Sequence, residues 1–166
     1  MTAEERLIHY LDDAWAVEKA LVAALKDMAG QTEEPHLRRI FEEHCQETWQ
    51  QEERLEERIR ALGAEPSGAK GFMNTMMVKF SEAFHAAHDE HDKATFAVMK
   101  ALAIENLEMA MYRALESYAS YIGDAETATM AREHLARERE AADKLWAVLP
   151  DVATHAFEPV VLRKAA

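Results

Sequence analysis

Few positions in this chain are able to stop a helix, and they divide it into stretches that little other than long helices would fill. No Gly or Pro occurs between Phe72 and Ile122, and the breakers elsewhere cluster at Gly30 to Pro35, Gly63 to Gly71, Gly123 and Pro150, with Pro159 near the end. Glycine readily takes the left-handed conformation of a helix exit, whereas proline suits a first turn and not an interior. The first helix is therefore expected from about Thr2 to Ala29, closed by Gly30. Thr32, Glu33, Glu34 and Pro35 supply a capping hydroxyl, early acids and a first-turn proline for a second helix reaching about Leu62. The segment holding Gly63, Pro66, Gly68 and Gly71 reads as a loop between two halves. An unbroken helix from Phe72 to Ile122 would far exceed the globular average of roughly 11 to 12 residues, so a break is placed in the polar stretch His88 to Lys93, with Asp89 or Asp92 as cap. The next helix ends at Gly123, Asp124 caps another, and Pro150 follows that one's end.

No stretch alternates in the manner of a strand, so the expected class is all-α. Two long helices, a crossover carrying a shorter one, and two more long helices imply an antiparallel four-helix bundle built from two hairpins. Residues 1–150 form one domain in this reading, and residues 151–166 a tail.

Composition narrows the partners. Thirty-one acidic against 19 basic residues leave a formal net charge of -12, which argues against nucleic acid and anionic lipid, because both require a cationic surface. Metal cations or a basic partner are favoured instead. No apolar run approaches the length of a membrane span and no charged-then-apolar leader is present. The expectation is a cytoplasmic protein, and the single cysteine, Cys45, suits a reducing compartment.

Acids occupy faces that ought to be apolar. Glu18 falls in register with Leu7, Leu11, Ala14, Leu21, Leu25 and Met28, a spacing of three and four that marks one buried face. On the second helix Leu37, Phe41, His44, Thr48, Gln51 and Leu55 form a stripe with Glu47 at its margin. Ala101, Glu105, Glu108, Tyr112, Leu115 and Ala119 share a face further on, as do Leu135, Glu138, Ala142, Leu145 and Leu149. Residues equidistant from a hairpin turn lie at one height, since both helices rise about 1.5 Å per residue. Glu18 then comes level with His44, and Glu108 with Glu138. Two like charges 4 Å apart repel by about 4 kcal/mol at an effective dielectric of 20, so such a layer demands protons or cations. Carboxylate and imidazole donors suit iron or manganese, with zinc a further candidate. The expected metal ligands are Glu18, His44, Glu47, Gln51, Glu105, Glu108 and Glu138.

Val17-Glu18-Lys19, Phe41-Glu42-Glu43-His44, Glu47-Thr48, Glu53-Arg54-Leu55-Glu56, and Glu105 with Glu108, Ala110 and Tyr112 resemble the YciE/YciF stress proteins of the ferritin-like superfamily over roughly residues 5 to 149. That resemblance implies a ferritin-like bundle with an additional crossover helix, a di-metal centre, a homodimer and a role in stress response. It leaves the reaction open, with oxidation of Fe(II) as the candidate activity. The chain also departs from the family, with Gln51 where a histidine is common and Ala142 near a usual acid. Gln50 and Ala141, rather than histidines, lie three residues after Glu47 and Glu138; His44 and His134, one turn before those acids, are the available substitutes.

Other readings stand beside this one. Glu82, His85, His88 and His91 on the crossover are a candidate surface zinc or nickel site, or simply a solvated helix end. Cys45 and His44 point about 100 degrees apart around a helix and form no dyad, and no phosphate loop or nucleophile elbow occurs. A non-catalytic dimeric scaffold with a degenerate metal site is the alternative function, and a binding module using the tail from Val152 to Leu162 is a third.

Overall fold

The computed structural model describes residues 1–67 and 92–155, which hold four helices: α1 (Ala3–Gln31), α2 (Pro35–Ala61), α3 (Lys93–Ile122) and α4 (Ala125–His155). The expected crossover helix, the Glu82/His85/His88/His91 group and the tail beyond His155 lie outside the described residues. Among those described there is no strand, and no helix is long and apolar enough to cross a membrane.

Local chemistry explains most of the boundaries. At the start of α1, Thr2 Oγ1 accepts from the Glu5 amide at 3.1 Å while the Glu5 carboxylate accepts from the Thr2 amide at 2.7 Å, a reciprocal cap. Its far end corrects the sequence reading. The helix continues through Gly30, and Thr32 stops it by turning extended, donating from Oγ1 to the Met28 carbonyl at 2.7 Å. The Thr32 carbonyl then accepts from the Arg38 guanidinium at 2.7 and 3.1 Å, so the turn is held by a side chain from the next helix. Glu34, rather than Thr32, caps α2, accepting from the His36 and Leu37 amides.

Gly63 and Gly123 do take the left-handed conformation, with φ of +79° and +85°. At each, two amides reach back into the last turn: Gly63 to Arg60 and Ala64 to Ile59, Gly123 to Ser120 and Asp124 to Ala119. Asp124 caps α4 as expected, accepting from the Thr127 amide at 3.0 Å. Arg58 of α2 grips the same corner through Asp124 and Glu126, both at 2.7 Å. Asp92 precedes α3 but makes no capping hydrogen bond. Contrary to expectation, α4 runs through Pro150 to His155. Val148, Leu149 and Val152 pack on the core around that proline, and this burial offsets the lost backbone bond.

Two apolar clusters fix the topology. Leu11, Leu55, Ile59, Leu115 and Ala131 gather at one end, and Leu25, Leu37, Phe41, Val98 and Leu145 at the other. Thus α1 and α4 run one way, α2 and α3 the other. Helices pack most closely within the hairpins α1–α2 and α3–α4, which meet along α1–α3 and α2–α4. Because α2 and α3 are parallel, the end of α2 and the start of α3 lie at opposite ends of the bundle, the length of α2 apart, 27 residues or roughly 40 Å at 1.5 Å each. Between the two apolar clusters every helix contributes polar side chains instead.

Candidate metal centre

The mid-bundle layer is drier than any surface acid would tolerate. Glu105 is 0% exposed, and Glu18, Glu108, Glu138 and His134 are each 1% exposed. His44, Thr48 and Gln51 are buried beside them. Each helix delivers its members by the same three-and-four spacing that delivers the neighbouring leucines, so burial of the carboxylates is a consequence of register.

Hydrogen bonds account for only part of this polarity. Tyr112 donates its hydroxyl to Glu18 Oε1, and the Gln51 amide donates to Glu138 Oε1. His44 Nε2 approaches Glu105 Oε1 at 3.2 Å, outside hydrogen-bond geometry, so both atoms stay without a bonded partner. Glu18 Oε2, both oxygens of Glu105 and Glu108, and both ring nitrogens of His44 and His134 are likewise buried and unsatisfied. Orphaned buried donors and acceptors in such number are rare in folded proteins. His44, Glu105 and Glu138 each offer one ligand atom, and these three atoms lie within 4.8 Å of one another. That is the donor chemistry and spacing a divalent cation requires.

Electrostatics describes the same strain. Burial, reinforced by the charge of Glu138, holds the Glu18 and Glu105 carboxyls well above the usual carboxylate range. Glu108 is raised by burial and by Glu18, and Glu138 by burial. Burial pushes the His44 imidazole down to about 4, with Lys144 adding to it, and His134 down to about 3, with Arg54 and Arg137 adding. In a metal-free layer burial thus favours the protonated acid and the neutral imidazole, and neutral imidazole is the form that ligates.

Of the residues expected from the sequence, His44, Glu105 and Glu138 converge within ligand distance of one another, Gln51 bonds Glu138, and Glu18 and Glu108 are buried within reach of each other's charge and that of Glu138. Glu47 stands at the edge of the layer, with a side chain 27% exposed and Lys144 at 3.8 Å, while its charge still acts on Glu105 and Glu138. Tyr112 bonds the Glu18 carboxylate, the role second-layer groups play around metal ligands. His134, offered by the sequence as a substitute ligand less well aligned with its stripe than His44, is fully buried, edge-on to the Tyr112 ring with centroids 5.0 Å apart. A stripe drawn through Ala131, His134, Glu138, Ala141 and Leu145, all buried, would have included it.

Four antiparallel helices with carboxylates and imidazoles buried at mid-height define a ferritin-like bundle. A ferritin-like diiron-carboxylate protein from Bacillus anthracis superposes with a TM-score of 0.68 over 90% of this chain and 99% of its own, at 17% identity. Residues 2–158 match the family described as Domain of unknown function (DUF892), and the chain belongs to that family. It is 26% identical to protein YciF of Escherichia coli over 150 residues, 87% of this chain and 88% of that one. The structure of that stress protein superposes with a TM-score of 0.80, covering 93% of this chain and 98% of YciF. A Xanthomonas campestris protein is similar at 30% identity and a TM-score of 0.80, over 96% and 98% of the two chains.

Proposed function

We propose that this chain is a cation-binding ferritin-like protein whose mid-bundle layer holds iron or manganese, in a pair of sites, through Glu18, His44, Glu105, Glu108 and Glu138, with Glu47 and Gln51 assisting. One observation carries the reading: buried carboxylate and imidazole atoms from four helices face one another without hydrogen-bond partners. Bound iron would supply the oxidation of Fe(II) by oxygen or peroxide. The protein's own share is to hold the donors in place with Tyr112 and Gln51, to keep bulk water out with the apolar clusters at both ends, and to offer neutral imidazoles. A part in stress response belongs to the same proposal, supported by the likeness to YciF, itself described as a stress protein, and assembly as a homodimer and residence in the cytoplasm are proposed with it.

Metal stoichiometry tests it. Tag-free protein loaded anaerobically with Fe(II) is expected to retain two equivalents after desalting, and Glu105→Ala none. Wild-type protein that retains no metal would rule the reading out. The competing function, a scaffold whose site has degenerated, draws on Gln51, whose amide donates to a Glu138 oxygen that a cation would need. It predicts a melting temperature indifferent to Fe(II), Mn(II) and Zn(II).

A further inference from the structure

The layer is buried, yet it is not sealed on all sides. A cavity of about 420 Å³ opens between α2 and α4, and two of the residues lining it, Gln51 and His134, are members of the buried layer. Both nitrogens of His134 are without partners. Partly exposed Glu47, 3.8 Å from Lys144, also lines the cavity, and its charge acts on Glu105 and Glu138 inside. Across the mouth, Arg54 of α2 and Glu133 of α4 form an ion pair at 2.7 Å, with both side chains about half in water, where such pairs are weak and open readily.

We propose that this cavity is the port through which a divalent cation reaches the mid-bundle centre, with Glu47 as its first carboxylate. The inference rests on the metal-binding reading above. Glu47 is suited to the task by its position, wet enough to meet a hydrated ion and near enough to act on the inner acids. From it the cation passes Gln51 and His134, which replace water with an amide oxygen and a neutral imidazole nitrogen before the buried carboxylates are reached. Passage of this kind trades hydration for ligands stepwise, so the cation is never bare in an apolar interior.

Blocking the port from either wall separates rate from equilibrium. Gln50 on α2 and Ala136 on α4 both line the cavity and both are solvent-exposed, so Gln50→Trp and Ala136→Phe fill it without entering the core. Co(II) loading is followed by its visible absorption, counting only the signal that Glu105→Gln abolishes. Each plug is expected to slow loading at least ten-fold while final stoichiometry and helical circular dichroism stay unchanged, and Glu47→Gln is expected to slow it with the mouth open. Unchanged rates in both plugs, with full final loading, overturn the port and leave the metal reading standing. Wild-type protein that takes up no Co(II) overturns both.

Discussion

Tyr112 shows how one side chain ties the layer to its surroundings. It belongs to the apolar cluster at one end, yet its hydroxyl donates to Glu18 and its ring meets the edge of His134. Tyr112→Phe keeps the packing and strips the donor, which leaves a buried carboxyl oxygen unsatisfied. The metal-free variant is expected to lose about 1–3 kcal/mol in urea unfolding; a loss within error would show that Glu18 finds another partner. Residues of this layer were legible in the sequence to the extent that they lay on narrow stripes. Glu18, set between Leu11, Ala14, Leu21 and Leu25 at helical spacing, could be placed from register alone. His134 could not, because the buried face of α4 is broad, taking in both His134 and Leu135, and a single stripe through it drops one of the pair. Glu47 is a margin residue in sequence and in structure alike.

At the scale of elements, glycines that look equivalent in sequence do different things. Gly123 sits at φ +85° and terminates α3, whereas Gly30 is an ordinary position inside α1 with no heavy atom within 4 Å of where a Cβ would stand. Gly123→Ala is therefore expected to cost about 1–2 kcal/mol, and Gly30→Ala to add about 0.5–1 kcal/mol by favouring the helix. Denaturant midpoints of the two variants should move in opposite directions; movement in the same direction contradicts the boundaries described here. Most helix ends could be read from local signals, since a Gly at a C-terminus and an Asp at an N-terminus act within one turn. The stop at Thr32 and the passage through Pro150 could not, because the first depends on Arg38 and the second on burial of Val148, Leu149 and Val152. Tertiary contacts decide there, and a local motif contains no record of them.

For the whole molecule, the buried acids and imidazoles set a pH dependence whose sign is fixed by their shifts. Glu18, Glu105, Glu108 and Glu138 bind protons more tightly folded than unfolded, so their stabilising contribution is complete below the ordinary value of 4.5 and is lost as pH rises through the raised folded values. The imidazoles, lowered to about 4 for His44 and about 3 for His134, act the other way: their contribution is complete above 6.5 and is lost as pH falls toward those values. Above pH 6.5, and below the range in which Cys45, Lys100 and Tyr112 titrate, the buried acids set the slope, and metal-free protein is expected to weaken as pH rises. Mn(II) should flatten that slope, since the cation takes over the neutralising role of the protons, and at about a hundred times its Kd should add about 2.7 kcal/mol. Urea unfolding between pH 6.5 and about 8, short of the ordinary thiol and lysine range, with and without Mn(II), measures both; a metal-free stability that climbs with pH in that window would contradict the buried-acid layer.

His44 comes from the first hairpin, and Glu105 and Glu138 from the second. A cation shared by the three is therefore also a rivet between two halves that otherwise meet along the looser seams. Starved of metal, such a protein would breathe along those seams and be open to proteases; supplied with it, the halves would be clamped.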